Sequence, residues 1–334
     1  MRIVALEEHF AVPSLVQRIP HDLIAQRGFP PPGAPFGPAS KMDELQDFGP
    51  PRLHSMDAGG VTMQVLSLAG PGADLLSPQD GPAWAREVND TLARRIAEHP
   101  DRYAGFAHLP LTAPDAAADE LERTMRQLGF CGALVNGLTG GRFLDDPVFE
   151  PVLARAEALG VPIYIHPGIP PKPVREAYYD GLPDPLSFIL SIAGWGWHAE
   201  VAVHILRLVL SGTLDRHPRL QLIIGHMGEG LPAMMARFDQ TLGPSTAKTL
   251  QRGVSQTIVD QVWVSTSGMF SIAPFLVLLE TFGADRIVFA VDYPFLANDG
   301  AREFLDSLPV SPADRERIAH GNADRLLGLS PRPD

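Results

Sequence analysis

Eight short, nearly continuous apolar segments recur along the chain, and their spacing constrains the fold more than any other feature. They are IVALEEH (3 to 9), VTMQVLSLAG (61 to 70), YAGFAHLPL (103 to 111), CGALVNG (131 to 137), PIYIHPG (162 to 168), LQLIIGHMG (220 to 228), VWVSTSGM (262 to 269) and IVFAVDYPF (287 to 295). Strands that alternate apolar with polar residues keep one face in water. Runs without that alternation need cover on both faces, as in a parallel sheet wrapped by helices. Helical patterns fill the gaps at Pro82 to His99, Pro114 to Leu128, Pro147 to Leu159, Glu200 to Leu214 and Pro312 to Leu326. Eight strand and helix repeats predict an α/β fold, the closed (β/α)8 TIM barrel. An open doubly wound sheet holding a dinucleotide is disfavoured, because no strand runs into a G-x-G-x-x-G turn.

With 334 residues, 45% hydrophobic and 20% charged, one barrel domain spanning 1–334 can bury a large core. The stretch from Arg18 to Pro51, with GFPPPGAPFGP at its centre, is too rich in Pro and Gly for a regular element and longer than an ordinary loop. It follows the first strand, so residues 18–51 are expected on the catalytic face as a lid or inter-subunit insertion. The formal net charge of -12 opposes binding to nucleic acid or an anionic membrane by Coulomb repulsion. The one cysteine, Cys131, excludes an intrachain disulfide and fits a reducing compartment. No apolar run is expected to reach the roughly 18 to 20 residues of a spanning helix, and MRIVALEEHF lacks a signal-peptide pattern, so a cytoplasmic place is expected.

Polar residues interrupt the apolar segments where strands run out into loops. The first strand carries Glu7, Glu8 and His9, the fifth His166, the sixth His226 with Glu229, and the eighth Asp292. In a barrel these strand ends converge on one mouth. Glu7 and His9 are two apart and share a side, whereas Glu8 faces the other way. Glu7, His9, His166 and Asp292 therefore form a candidate ligand set for one divalent ion. Carboxylate and imidazole donors suit Zn²⁺ or Mn²⁺ and not copper(I) or iron-sulfur chemistry. A single such residue at a strand end is ordinary; several converging carboxylates without a cation would cost several kcal/mol. His99 and His217, each before a proline at a helix end, read as structural. His54, His198 and His204 stay open, and Cys131, opening an apolar strand, reads as core.

The segments ALEEHF, RLHSMDAGGVTMQVLSLAGPG (52 to 72), HPDRYAGFAHLPL (99 to 111), GFCGALVNG (129 to 137), PIYIHPG, GWGWHAEVAVHILRLVLSGTLDRHPRLQLIIGHMGEGLP (194 to 232) and FAVDYPF together resemble the amidohydrolase-related decarboxylases. That group includes γ-resorcylate, 2,3-dihydroxybenzoate and 5-carboxyvanillate decarboxylases, with aminocarboxymuconate semialdehyde decarboxylase more distant. The resemblance implies one Zn²⁺ or Mn²⁺ on Glu7, His9, His166 and Asp292, with His226 beside it as a catalytic group. It marks Arg52 as a contact to the substrate carboxylate and Asn136 as a residue near the substrate. It also implies a homodimer or homotetramer. E-x-H on the first strand, where muconate-semialdehyde decarboxylases and hydrolytic relatives show H-x-H, turns the expectation toward an aromatic acid.

The expected reaction is non-oxidative decarboxylation of an ortho-hydroxy aromatic carboxylic acid, with Asp292 protonating the ring carbon as CO₂ leaves. His226 is expected to hydrogen-bond Asp292, and Glu229 either to orient His226 or to cap the next helix. The alternative from the same ligands is hydrolysis of a lactone, ester or amide by a metal-activated hydroxide. A third reading is a metal-binding or assembly protein without turnover.

Overall fold

The computed structural model describes residues 1–30 and 37–329. Nine strand segments appear: β1 (Val4–Phe10), β2 (Met63–Leu68), β3 (Tyr103–Gly105), β4 (Ala107–His108), β5 (Ala133–Asn136), β6 (Ile163–His166), β7 (Leu222–Ile224), β8 (Val262–Ser265) and β9 (Ile287–Val288). All pairs are parallel, in the order β1-β2-β3 and β4-β5-β6-β7-β8-β9. β3 and β4 are two halves of one expected strand around Phe106, so the eight expected strands are all present. The ring is completed at Phe106, whose N–H donates to Leu66 O at 2.9 Å, and between first and last strands, where Leu6 N donates to Phe289 O at 3.1 Å. This is the expected (β/α)8 barrel.

Two apolar layers explain the unbroken strand runs. Val4, Leu6, Val65, Phe106, Leu134, Tyr164, Ile223, Trp263 and Val288 fill the barrel, closed below by Leu327. Ala5, Leu66, Ile163, Ile165, Leu222, Ile224, Val262 and Val264 pack outward against helix residues such as Trp84, Leu121, Leu153, Ile205 and Phe275. Each fully buried Leu, Ile or Val contributes about 1.5–3 kcal/mol. Three helices match expectation closely, Gly81–Glu98, Pro114–Leu128 and Glu150–Leu159, whereas the expected Glu200 to Leu214 is Gly196–Leu210 followed by Thr213–Arg216, and Met235–Thr246, Val254–Gln261 and Ile272–Phe282 were not expected.

β1 departs from simple alternation at the place that matters. Ala5 pairs with Gln64 but Glu8 with Leu66, so β1 holds one extra residue between them, a β-bulge. Val4 and Leu6 face the barrel interior. Strict alternation from Leu6 would also turn Glu8 inward. The extra residue instead brings Glu7 and His9 to the mouth and sends Glu8 outward against Gln64.

Two expectations are corrected. Residues 18–51 contain regular elements: the helices His21–Arg27 and Met42–Leu45 and the 3₁₀ turn Pro38–Lys41, with Pro50–Ala58 starting at the far end. Their prolines stand at or just before element starts, where a missing N–H costs no hydrogen bond. The centre of the proline-rich stretch, 31–36, lies outside the described residues. The stretch Leu186–Leu210 is long and apolar enough to cross a membrane by length and composition. It is divided into Leu186–Ser191 and Gly196–Leu210, and its Glu200 and His204 are buried within the protein.

Candidate active site

The strand ends bring four of the expected side chains together. One donor atom each from Glu7, His9, His166 and Asp292 lies within 4.8 Å of all the others. His9 Nε2 is 3.1 Å from Asp292 Oδ1, and His166 Nε2 is 3.4 Å from Glu7 Oε1. Glu7 Oε1, His9 Nε2 and Asp292 Oδ1 are buried without any hydrogen-bond partner. Three orphaned polar atoms aimed at one point are what a divalent cation satisfies, and the donor set suits Zn²⁺ or Mn²⁺.

The surroundings hold each donor in place. Glu7 Oε2 accepts hydrogen bonds from the hydroxyls of Tyr164 and Ser267, and Tyr164 Oη lies 2.7 Å from Ser265 Oγ, which leaves Oε1 free. His166 Nδ1 lies 2.8 Å from the Pro167 carbonyl, so the proton sits there and the Nε2 lone pair is available. Burial, then the charge of His9, pushes His166 down to about 3, which keeps the ring neutral as a ligand must be. His9 Nδ1 meets Ser67 Oγ at 3.3 Å.

Beside this group stands a second one. His226 places Nδ1 at 2.8 Å from Glu229 Oε1, whereas its Nε2 is 3.8 Å from Asp292 Oδ2, an ion-pair distance longer than the expected hydrogen bond. Glu229 Oε2 also pairs with His198 Nδ1. Burial opposes charge on His226, but Glu229 and Glu7 raise its pKa well above the ordinary histidine value. Burial likewise opposes ionisation of Glu229 and Asp292, yet the imidazoles hold Glu229 down at about 2 and Asp292 below the usual carboxylate range. These charges favour the protonated ring of His226 and the ionised carboxyl of Asp292. Among the described residues, every non-glycine residue with positive φ lies in these loops: His226, Met227, Glu229, Ser267 and Asp292. Backbone held in that costly region is characteristic of functional loops.

A cavity of about 540 Å³ opens over the group. Phe29, Ile192, Trp197, Met269, Phe295 and Leu296 give it an apolar wall, and Asn136, His166, His198, His226, Ser267 and Asp292 face it. Such a pocket, apolar with a few convergent polar groups, suits a flat ring bearing oxygen substituents.

Asn136 lines the cavity. Arg52 does not. It is fully buried, with Nε donating to Gln64 Oε1 at 2.8 Å and Nη1 to the His9 carbonyl at 2.9 Å, and its guanidinium lies 4.8 Å from the Tyr293 ring centroid. The expectation of a substrate-carboxylate contact is thereby corrected: Arg52 braces β1 from behind. Arg27 is the only lysine or arginine among the described residues lining the cavity, with Asp74 also in the wall. Nothing local in the Pro- and Gly-rich segment signals Arg27. Tyr164, Ser265 and Ser267 were findable, since each stands two residues from another site or strand-end residue in an apolar run. His204 is structural, its Nε2 accepting the Leu144 N–H at 2.9 Å, and His54 is exposed. His99 and His217 stand at helix C-caps through their backbone N–H groups, and the His217 ring pairs with Glu150 and Glu157 rather than capping carbonyls.

The amidohydrolase family model matches residues 9–329. The γ-resorcylate decarboxylase of Rhodococcus jostii is 37% identical over 343 residues, covering 98% of both chains. A crystal structure of 5-carboxyvanillate decarboxylase from Sphingomonas paucimobilis superposes with a TM-score of 0.89 at 30% identity, covering 98% of this chain and 99% of that one. The dihydroxybenzoic acid decarboxylase of a Polaromonas species, solved with bound manganese and the inhibitor 2-nitroresorcinol, gives a TM-score of 0.86 at 35% identity, covering 98% and 97%.

Proposed function

The chain belongs to the amidohydrolase family, and on that footing we propose that it is a metal-dependent, non-oxidative decarboxylase of an ortho-hydroxy aromatic carboxylic acid. The observation that carries this reading is the convergence of the orphaned Glu7 Oε1, His9 Nε2 and Asp292 Oδ1 beneath an apolar cavity, with His226 Nε2 3.8 Å from Asp292 Oδ2. Glu7, His9, His166 and Asp292 would hold the ion, Mn²⁺ as in the Polaromonas relative or Zn²⁺. When bound, such an ion supplies Lewis-acid polarisation of the substrate's oxygens.

The chain's own residues supply the rest. Phe29, Phe295 and Trp197 sandwich the ring and exclude water, and Asn136 and Arg27 offer donors to its oxygens. His226 stores the proton, and Asp292 receives it and delivers it to the carboxyl-bearing ring carbon. A C–H bond forms, the bond to the carboxyl group breaks, and its electron pair restores the aromatic ring as CO₂ leaves. The insertion, which contributes Arg27, Phe29, Pro30, Gly37 and Pro38 to the cavity wall, acts as the lid. An assembly of two or four copies and a cytoplasmic place belong to the same proposal.

The test is incubation of the Mn²⁺- or Zn²⁺-loaded protein with a panel of hydroxybenzoates in D₂O. The expected result is CO₂ release with one deuterium at the vacated ring position. No CO₂ from any hydroxybenzoate, together with acidification on a lactone and ester panel, would replace this reading with the hydrolytic one.

A further inference from the structure

Glu229 is bound on both sides. Its Oε1 meets His226 Nδ1 at 2.8 Å and its Oε2 pairs with His198 Nδ1, while its side chain is fully buried. A carboxylate held through one oxygen can swing about its terminal torsion; held through both, its plane is fixed. His198 comes from the first turn of Gly196–Leu210, whereas His226 and Glu229 follow β7, so the second bond ties a helix to the catalytic loop. The other His198 nitrogen, Nε2, lies 3.1 Å from the Ala193 carbonyl, which anchors the ring from outside. The two imidazoles stand edge to face, with centroids 5.2 Å apart.

We propose that His198 is a positioning residue for proton delivery: it fixes the plane of Glu229, which in turn aims His226 Nε2 at Asp292. The inference rests on the decarboxylase reading, in which His226 stores the proton. His198 is not one of Glu7, His9, His166 and Asp292, so its loss leaves those four donors intact, although it stands with His226 and Glu229 in a second cluster of potential ligands. Its side chain is 19% exposed, so replacing it opens no core void. A carboxylate freed from one of two partners samples several orientations, and His226 follows it away from Asp292.

His198→Leu and His198→Asn test this. Asn retains an N–H donor close to the place of Nδ1, whereas Leu has none. In the metal-loaded enzyme, His198→Leu should lower kcat about ten- to a hundredfold, the usual cost of losing a group that orients a site residue, with the metal on Glu7, His9, His166 and Asp292 retained. His198→Asn should restore most of that loss. Nitrogen-15 histidine spectra of the Zn²⁺-loaded protein give a readout that needs no turnover: the His226 Nδ1–H signal should shift or broaden in His198→Leu and be retained in His198→Asn. An unchanged kcat in His198→Leu, equal defects in both variants, or an unshifted His226 signal in His198→Leu overturns the inference. If the wild-type protein releases no CO₂, the reaction assignment fails on its own, and the spectra still decide whether His198 orders the array.

Discussion

Glu8 brackets Asp292. Its Oε1 accepts the N–H of Val291 at 2.8 Å and its Oε2 that of Tyr293 at 3.1 Å, the residues on either side of Asp292. Asp292 has φ of 72°, a left-handed backbone that an aspartate adopts at a cost. The two hydrogen bonds hold that conformation and so point Asp292 into the site. The side chain that the bulge in β1 turns away from the mouth thus acts on the mouth from behind.

Glu8→Gln keeps the volume but replaces one acceptor by a donor, which then faces a backbone N–H. The expected result is a loss of stability of about 1–3 kcal/mol by urea unfolding. Metal affinity and kcat should each fall about ten- to a hundredfold. A variant with unchanged metal affinity and kcat would mean that residues 291 to 293 keep their conformation unaided.

What could be read beforehand follows from the range of the forces involved. The unbroken apolar runs report local burial on both faces, so the barrel and its strand ends were legible, and with them Glu7, His9, His166, His226 and Asp292. The shared side of Glu7 and His9 follows from their spacing of two, and the register shift between Ala5 and Glu8 still leaves both at the mouth. Arg52 and Arg27 were not legible, because each is placed by packing between distant segments. Arg52 belongs to Pro50–Ala58 yet is fixed by Gln64 on β2 and the carbonyl of His9 on β1. Arg27 reaches the cavity only because its helix lies across the mouth, where its guanidinium donates to the Ile169 carbonyl. His198 stayed open for the same reason: its partner Glu229 is 31 residues away along the chain.

Arg27 offers the one cationic donor in the described cavity wall apart from the imidazoles. In the proposed complex its side chain donates to substrate oxygens and moves no proton, so it should stabilise bound substrate and transition state alike. Arg27→Leu should therefore raise KM about tenfold, equal to about 1.4 kcal/mol, with kcat nearly unchanged. Steady-state kinetics on a hydroxybenzoate decide it. A fall in kcat at constant KM would instead assign Arg27 to the chemical step.

The proposed ligand group of Glu7, His9, His166 and Asp292 would link metal to stability, because an ion that binds only the folded chain raises the unfolding free energy. Free ion at a hundred times its dissociation constant should add about 2.7 kcal/mol, read as a higher melting midpoint. Glu7→Gln and His166→Ala should each abolish that shift and lower the metal content found by elemental analysis. Full occupancy in both would remove them from the ligand set.

Glu200 gives a pH dependence of definite sign. It is buried, and burial pushes it up to about 7, with Arg27 and the backbone of Gly168 only partly offsetting this. In the unfolded chain the group titrates near its ordinary value of 4.5. Between those values the folded state binds the extra proton, so this contribution to stability is fully present below pH 4.5 and is lost as pH rises through 7. Glu200→Gln removes the titration while keeping the shape. Other groups titrate alike in both proteins, so their effects cancel in the difference. Between pH 5 and pH 8.5 the variant should gain about 2–3 kcal/mol on the wild type in urea unfolding. A difference that stays constant across this range would mean that Glu200 is ionised at neutral pH and has a cationic partner in solution.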